Sequence, residues 1–207
     1  MSGDSPLCAE ALRVNARYLE EVVLGWGLCP WAAQAWRQGA VARRVLVAPA
    51  PDAAGVLAFI DEIAPQPATS IGLAIFPRLT LDEAAFGTFA ERVRRADRDR
   101  RAPGAAAPFL LAAFHPLAGA TTPVEANAGA LVSFVRRSPD PMLQLVRASL
   151  LEGLQDKQDG RDKQDGRDVS GEIARANQAT VNARTPAALD AAVREIRRDR
   201  DASYARL

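Results

Sequence analysis

The sequence predicts an α/β fold: three or more strands alternating with helices, a mostly parallel sheet, and extra C-terminal helices. Two apolar runs closed by proline, SIGLAIFP (70–77) and FLLAAFHP (109–116), read as strands covered on both faces. Stretches with apolar residues at helical spacing stand before and between them. Strands that alternate with helices imply crossover connections, which favour parallel pairing.

Taken in order, Ala9 to Leu24 reads as an amphipathic helix with Leu12, Leu19, Val22 and Val23 on one stripe. Gly25 and Gly27 interrupt it. Pro30 suits the first position of a new short helix, which puts Cys29 at its N-cap. VARRVLVAP (41–49) alternates as a half-exposed strand would, and Asp52 to Ile63 reads as a helix. After the strand at 70–77, Thr80-x-x-Glu83 has the form of a capping box, opening a helix with Phe86, Phe89 and Val93 inward.

Beyond the strand at 109–116 and a polar loop, SPDPMLQLVRASLLEGL reads as a helix capped by Ser138, with Leu143, Val146, Leu150 and Leu154 on its buried stripe. The hexamer Asp156-Lys-Gln-Asp-Gly-Arg161 is then repeated as residues 162–167. It carries no apolar side chain to bury, so 155–169 is expected to be a mobile polar insertion in a single domain, 1–207. Ser170 caps a short helix through Thr180. Pro186 opens the last helix, with Leu189, Val193 and Ile196 inward.

Composition excludes several classes. Lys+Arg (26) and Asp+Glu (25) nearly cancel, so no overall basic field favours nucleic acid or an acidic membrane surface. The N-terminal residues lack the pattern of a secretory signal, and no apolar run approaches the roughly 18 residues of a membrane span. Two cysteines, Cys8 and Cys29, fit a reducing compartment better than a disulfide framework. A soluble cytoplasmic protein is the expectation. One histidine and two distant cysteines do not make a zinc site. No dinucleotide fingerprint, P-loop or nucleophile elbow occurs, so no cofactor is assigned. Oligomeric state is not legible.

A few polar residues stand where folding alone does not ask for them. Cys29, at a helix N-terminus, meets unpaired N–H groups that favour a thiolate; the other reading is a small buried hydrophobe between Trp26 and Trp31, since free cysteine is among the most buried residue types. His115 ends a core strand and is the only side chain with an ordinary titration near neutrality. It serves either as a general base or as a hydrogen-bonded core residue. In a parallel sheet, Arg78 and His115 share the rim at the carboxyl ends of the strands, where ligands bind; antiparallel pairing would separate them. Arg147 lies beside Leu143 and Leu150 at helical spacing, and must be paired or hold an anion. Asn177 repeats the pattern beside Ile173 and Thr180. Arg136-Arg137-Ser138-Pro139, before an expected helix, combines guanidinium groups with backbone donors suited to a carboxylate or phosphate.

The run EVVLGWGLCPWA, the strand ends IFPRLTL and LAAFHP, the turn RRSPDPMLQLVR and the late RANQAT together resemble the domain of unknown function 1415 family, over nearly the whole chain and in the same order. The resemblance implies no activity. It implies that Cys29-Pro30, His115-Pro116, Arg137-Ser138-Pro139, Arg147, and Asn177 with Thr180 are the favoured positions. The chain departs from the family pattern at Gln144, Ala148 and Ala176, where His, Glu and Arg are usual. Without that Glu, Arg147 must find another anion.

These residues support an expectation of an enzyme acting on a small anionic metabolite. Arg78, Arg137, Ser138, Arg147 and Asn177 would bind it, His115 would move a proton, and Cys29 would be a reactive thiol. The alternative is a binding or regulatory module in which nothing reacts. The first reading requires His115 and Arg147 to lie within about 12 Å of each other.

Overall fold

The computed structural model describes residues 5–119, 136–150 and 186–207. Its core is a four-stranded sheet of β1 (Val41–Val45), β2 (Ile71–Ile75), β3 (Phe109–Phe114) and β4 (Met142–Arg147). The spatial order is β1-β2-β4-β3. β1 and β2 pair in parallel, but β4 pairs antiparallel with both β2 and β3. The sheet is therefore mixed and mostly antiparallel, which corrects the expected parallel sheet.

The correction traces to one segment. Residues 142–147 form a strand where the sequence predicts a helix. Met, Leu and Gln are good helix formers, and a six-residue apolar run does not distinguish the two periods. Tertiary context decides: β2 and β3 leave a slot between them, and β4 fills it with hydrogen bonds on both sides. Successive side chains then point to opposite faces, with Met142 in one core cluster and Leu143 and Leu145 in the other.

Helices cover both faces. On one face lie α1 (Pro6–Tyr18), a π-helical turn (Leu19–Leu24), α2 (Pro30–Arg37) and α5 (Pro186–Tyr204), packed on Ile71, Leu73, Ile75 and Met142. On the other lie α3 (Ala53–Ile63) and α4 (Glu83–Asp99), packed on Ala74, Phe76, Phe109, Leu143 and Leu145. There Phe76 meets the rings of Phe86 and Phe89 edge-on at 5.8 and 5.7 Å. β2 is buried throughout, as its unbroken apolar run predicts. β3 is not covered on both faces: it is an edge strand, and Leu110 is 52% exposed.

The helix starts follow local chemistry. Ser5 accepts from the Cys8 N–H, Asp52 from Gly55 and Asp82 from Ala85, each satisfying an orphan donor. Asp82, rather than Thr80, is the cap of α4. The first helix begins at Pro6, earlier than expected, and changes to π geometry at Leu19. Leu189, Val193 and Ile196 of α5 are buried, as their spacing predicts. The hexamer repeat, the 155–169 insertion and the Ser170–Thr180 segment lie outside the described residues.

Candidate functional site

β2 and β3 both run antiparallel to β4, so they run in the same direction and end at one rim of the sheet. Pro77-Arg78 follows β2 there, His115-Pro116 follows β3, and Arg136 to Pro141 leads into β4. The Phe76 N–H donates to the Pro141 carbonyl at 3.0 Å, and the His115 N–H to the Arg136 carbonyl at 3.0 Å. Arg78 and His115 thus share a rim despite the mixed sheet, because β4 pairs antiparallel with both β2 and β3 and so leaves those two strands pointing the same way.

α5 runs across this rim. From its first half, Asp190 pairs with Arg137 at 3.0 Å. Further along, Arg197 donates to the Pro116 carbonyl at 3.2 Å, and Arg200 to the Pro77 carbonyl at 3.1 Å. The helix therefore clasps the exits of β3 and β2 in turn. Its clasp is anchored on Asp140, which is 1% exposed. Arg200 Nε donates to one Asp140 oxygen at 2.7 Å, and the Tyr204 hydroxyl to the other at 2.7 Å. Burial pushes the Asp140 carboxyl above its ordinary range, with Arg200 and Tyr204 opposing. Burial, then the negative charge of Asp140, raises the Tyr204 phenol as well.

His115 is buried, with Phe86 tilted against it at 5.8 Å. Its Nδ1 accepts from the Leu117 N–H at 3.2 Å, and its Nε2 lies 2.9 Å from the Leu81 carbonyl. An amide N–H can only donate and a carbonyl can only accept, so the ring carries its hydrogen on Nε2. Both nitrogens are engaged by backbone. To act as a base, this imidazole would have to release the Leu117 amide.

Arg137 is half-buried. It donates to the Ala118 and Gly119 carbonyls at 2.7 and 3.0 Å, besides pairing with Asp190. Burial lowers the guanidinium from its ordinary value, Asp190 opposes that, and Arg197 and Arg194 add to it. Several cations thus share this corner. Ser138 is buried and caps no helix, since none begins there; its hydroxyl donates to the Asp140 carbonyl and closes the turn. The helix-end donors expected beside Arg136 and Arg137 are absent for the same reason. Arg78 and Arg136 are exposed.

Arg147 is not at this site. It ends β4 opposite Phe109, so His115 stands six residues further along the ladder, roughly 20 Å at the ordinary strand rise. That exceeds the separation a shared site allows. Its guanidinium lies 4.7 Å over the Phe109 ring and donates to the carbonyls of Ile63 (3.0 Å), Gln66 (2.7 Å) and Thr69 (2.7 Å), with a longer contact to Ala64. The anion it finds is the negative end of α3, where the last carbonyls have no helical partners. Cys29 occupies the N-cap of α2 as the sequence places it, half-buried, and its thiol makes no capping bond. No disulfide joins it to Cys8. Asn177 and Thr180 lie outside the described residues.

The sequence reading missed Asp140, Asp190, Arg197, Arg200 and Tyr204. A signal was present: Arg197, Arg200 and Tyr204 continue the face of Val193 at helical spacing, and Asp140 sits between two prolines. Among the described residues, no group of three or more His, Cys, Asp or Glu side chains could hold a metal ion. Among the same residues, no helix is long and apolar enough to cross a membrane.

No curated protein and no solved structure matches the chain. A family model described as a protein of unknown function (DUF1415) matches residues 10–189, a span that takes in His115-Pro116, Arg137-Ser138-Pro139 and the first turn of α5. The chain belongs to the DUF1415 family.

Proposed function

We propose that the rim formed by the ends of β2 and β3 and the lead-in to β4 binds a small anionic molecule, and that binding, not proton transfer, is its task. The observation that carries this reading is the gathering of arginines from three separate segments. Arg78, Arg136, Arg137, Arg194, Arg197 and Arg200 stand there against Glu83, Asp140, Asp190 and Asp201. The buried members are consumed in holding the rim together. Arg78 and Arg136 are exposed and make no ion pair among the described residues, so they supply the uncompensated charge. Guanidinium forks suit a carboxylate or phosphate.

The engagement of both His115 nitrogens by backbone favours binding over acid–base catalysis. The test is thermal unfolding at constant ionic strength with inorganic phosphate, sulfate and succinate. A saturable rise in Tm with at least one of them is expected, and its loss in the double variant Arg78→Ala, Arg136→Ala. No rise with any of the three, or an equal rise in the double variant, would overturn the proposal.

A further inference from the structure

The sheet has two outer strands, and they are treated differently. β3 carries a guard: Arg94 of α4 turns its guanidinium onto the outward Leu111 carbonyl, at 3.0 Å from Nη2 and 3.3 Å from Nε. β1 has none. The Leu46 N–H bonds the Ile75 carbonyl, and the Ala40 carbonyl accepts from Ile71, so the even-numbered residues face β2. Along a strand, alternate residues direct their backbone groups to opposite sides. The N–H and C=O groups of Val41, Arg43 and Val45 therefore point away from the sheet, and no partner among the described residues meets them. Unguarded edges of this kind template further strands.

The second half of that edge, from Arg43, and the residues after it to Ala48 form the floor of a groove of about 890 Å³. Ser5, Cys8 and Leu12 of the α1 layer form one wall, and Asp52, Gly55 and Ala58, from the cap to the middle of α3, form the other. Helices overhang the strand on both sides, leaving a slot for an extended chain. The side chains on the floor add charge. Arg44 is spoken for by Glu62. Arg43 lies 5.2 Å over the Trp36 ring and makes one hydrogen bond, to the Leu12 carbonyl at 2.9 Å. No carboxylate among the described residues pairs with it; burial lowers its guanidinium from the ordinary value, and Glu20 only partly offsets this. Asp52 is occupied as the cap of α3.

We propose that the β1 edge binds an extended peptide as a fifth strand, with an acidic side chain of that peptide meeting Arg43. Main-chain bonds to Val41, Arg43 and Val45 supply affinity, and the half-buried guanidinium supplies selectivity. A second copy of the chain is a poorer occupant: antiparallel pairing of two β1 strands would bring Arg43 and Arg44 of one copy against those of the other.

The test uses the full chain and fluorescein-labelled Thr-Val-Thr-Glu-Thr-Val-Thr, with a Lys-for-Glu version as control, read by anisotropy. The Glu peptide is expected to saturate and the Lys peptide to bind at least about tenfold more weakly. Arg43→Gln should bring the two together. Val45→Pro removes one outward donor without touching the β1–β2 ladder, and should abolish binding with the circular dichroism unchanged. At saturation the Val41, Arg43 and Val45 amides should exchange at least about tenfold more slowly, and the Arg44 amide unchanged. Equal binding of both peptides, no binding of either, or unaltered exchange at the three edge amides would overturn the proposal. So would a concentration-dependent dimer that protects the same amides and excludes the peptide.

Discussion

Arg200 and Asp140 form an ion pair at 2.7 Å in which the carboxylate side chain is 2% exposed and the guanidinium 23%. This pair ties the last turns of α5 to the turn that launches β4. Removing the acceptor with Asp140→Ala leaves the Tyr204 hydroxyl without its acceptor and Arg200 with only Asp201 and the Pro77 carbonyl, and should cost about 2–4 kcal/mol in urea unfolding. The pH dependence has a definite sign. Burial raises the Asp140 carboxyl, so the folded protein holds that proton more tightly than the unfolded chain. The stability it contributes is fully present below the ordinary value of 3.8 and is lost as pH rises through the folded value. The unfolding free energy of the wild type minus that of Asp140→Asn should therefore fall from about pH 3.5 towards neutrality; a signed difference that rises would contradict the assignment.

Arg147 is a clamp on α3, and its replacement should be felt as stability. Arg147→Ala takes a charged donor from the Ile63, Ala64, Gln66 and Thr69 carbonyls, of which Ile63 and Gln66 keep a backbone partner, and should lose about 2–3 kcal/mol by chemical denaturation. Arg147→Lys keeps the charge but not the planar fork, and should recover less than half of that. Neither change should alter anion-induced shifts in Tm at the opposite rim.

For His115, the bonds to Leu81 and Leu117 predict the Nε2–H tautomer, which nitrogen-15 correlation spectra of the ring report directly. His115→Ala should cost about 1–3 kcal/mol through the unsatisfied Leu81 carbonyl and Leu117 amide. Anion binding should survive in that variant at a temperature where it is folded. Loss of binding without loss of stability would return the imidazole to the site.

Gly72 of β2 packs against Ile63 of α3 with no room for a side chain. A Cβ there would stand 2.6 Å from Ile63 Cδ1 and 3.2 Å from Leu145 Cδ1. Gly72→Ala should destabilise by about 1–3 kcal/mol through overpacking. Ile63→Val removes the nearer of the two atoms, so the double variant should be more stable than the sum of the single effects by about 0.5 kcal/mol or more. Thermal unfolding of the four proteins measures that coupling.

The strand β1 was legible from its alternation, and β2 and β3 because each is a short apolar run closed by proline. α3, α4 and α5 were legible because their inward residues recur at helical spacing. β4 was not: its residues are helix formers, and what makes it a strand is a gap between β2 and β3 that no local window contains. Misreading it displaced Arg147 and turned a helix-end clamp into an expected ligand. His115 and Arg78 fell on one rim because their strands share a direction, which β4 secures by pairing antiparallel with both. The partners on α5 escaped notice because ion pairs between segments 60 residues apart, such as Arg200 with Asp140, leave no periodic trace.

The late position of β4 in the chain also dictates when the sheet can close. β2 and β3 do not touch each other; both wait for residues 142–147. A nascent chain that has emerged only as far as β3 presents an open edge on β2 and a free, largely apolar β3, the conditions under which partly folded chains pair with one another. Sheet completion is thus a long-range event, slow relative to the local helices, and it is sealed only when α5 arrives to fasten Asp140. Translation rate and chaperone access over the interval between β3 and α5 should govern the yield of folded protein more than any substitution on its surface.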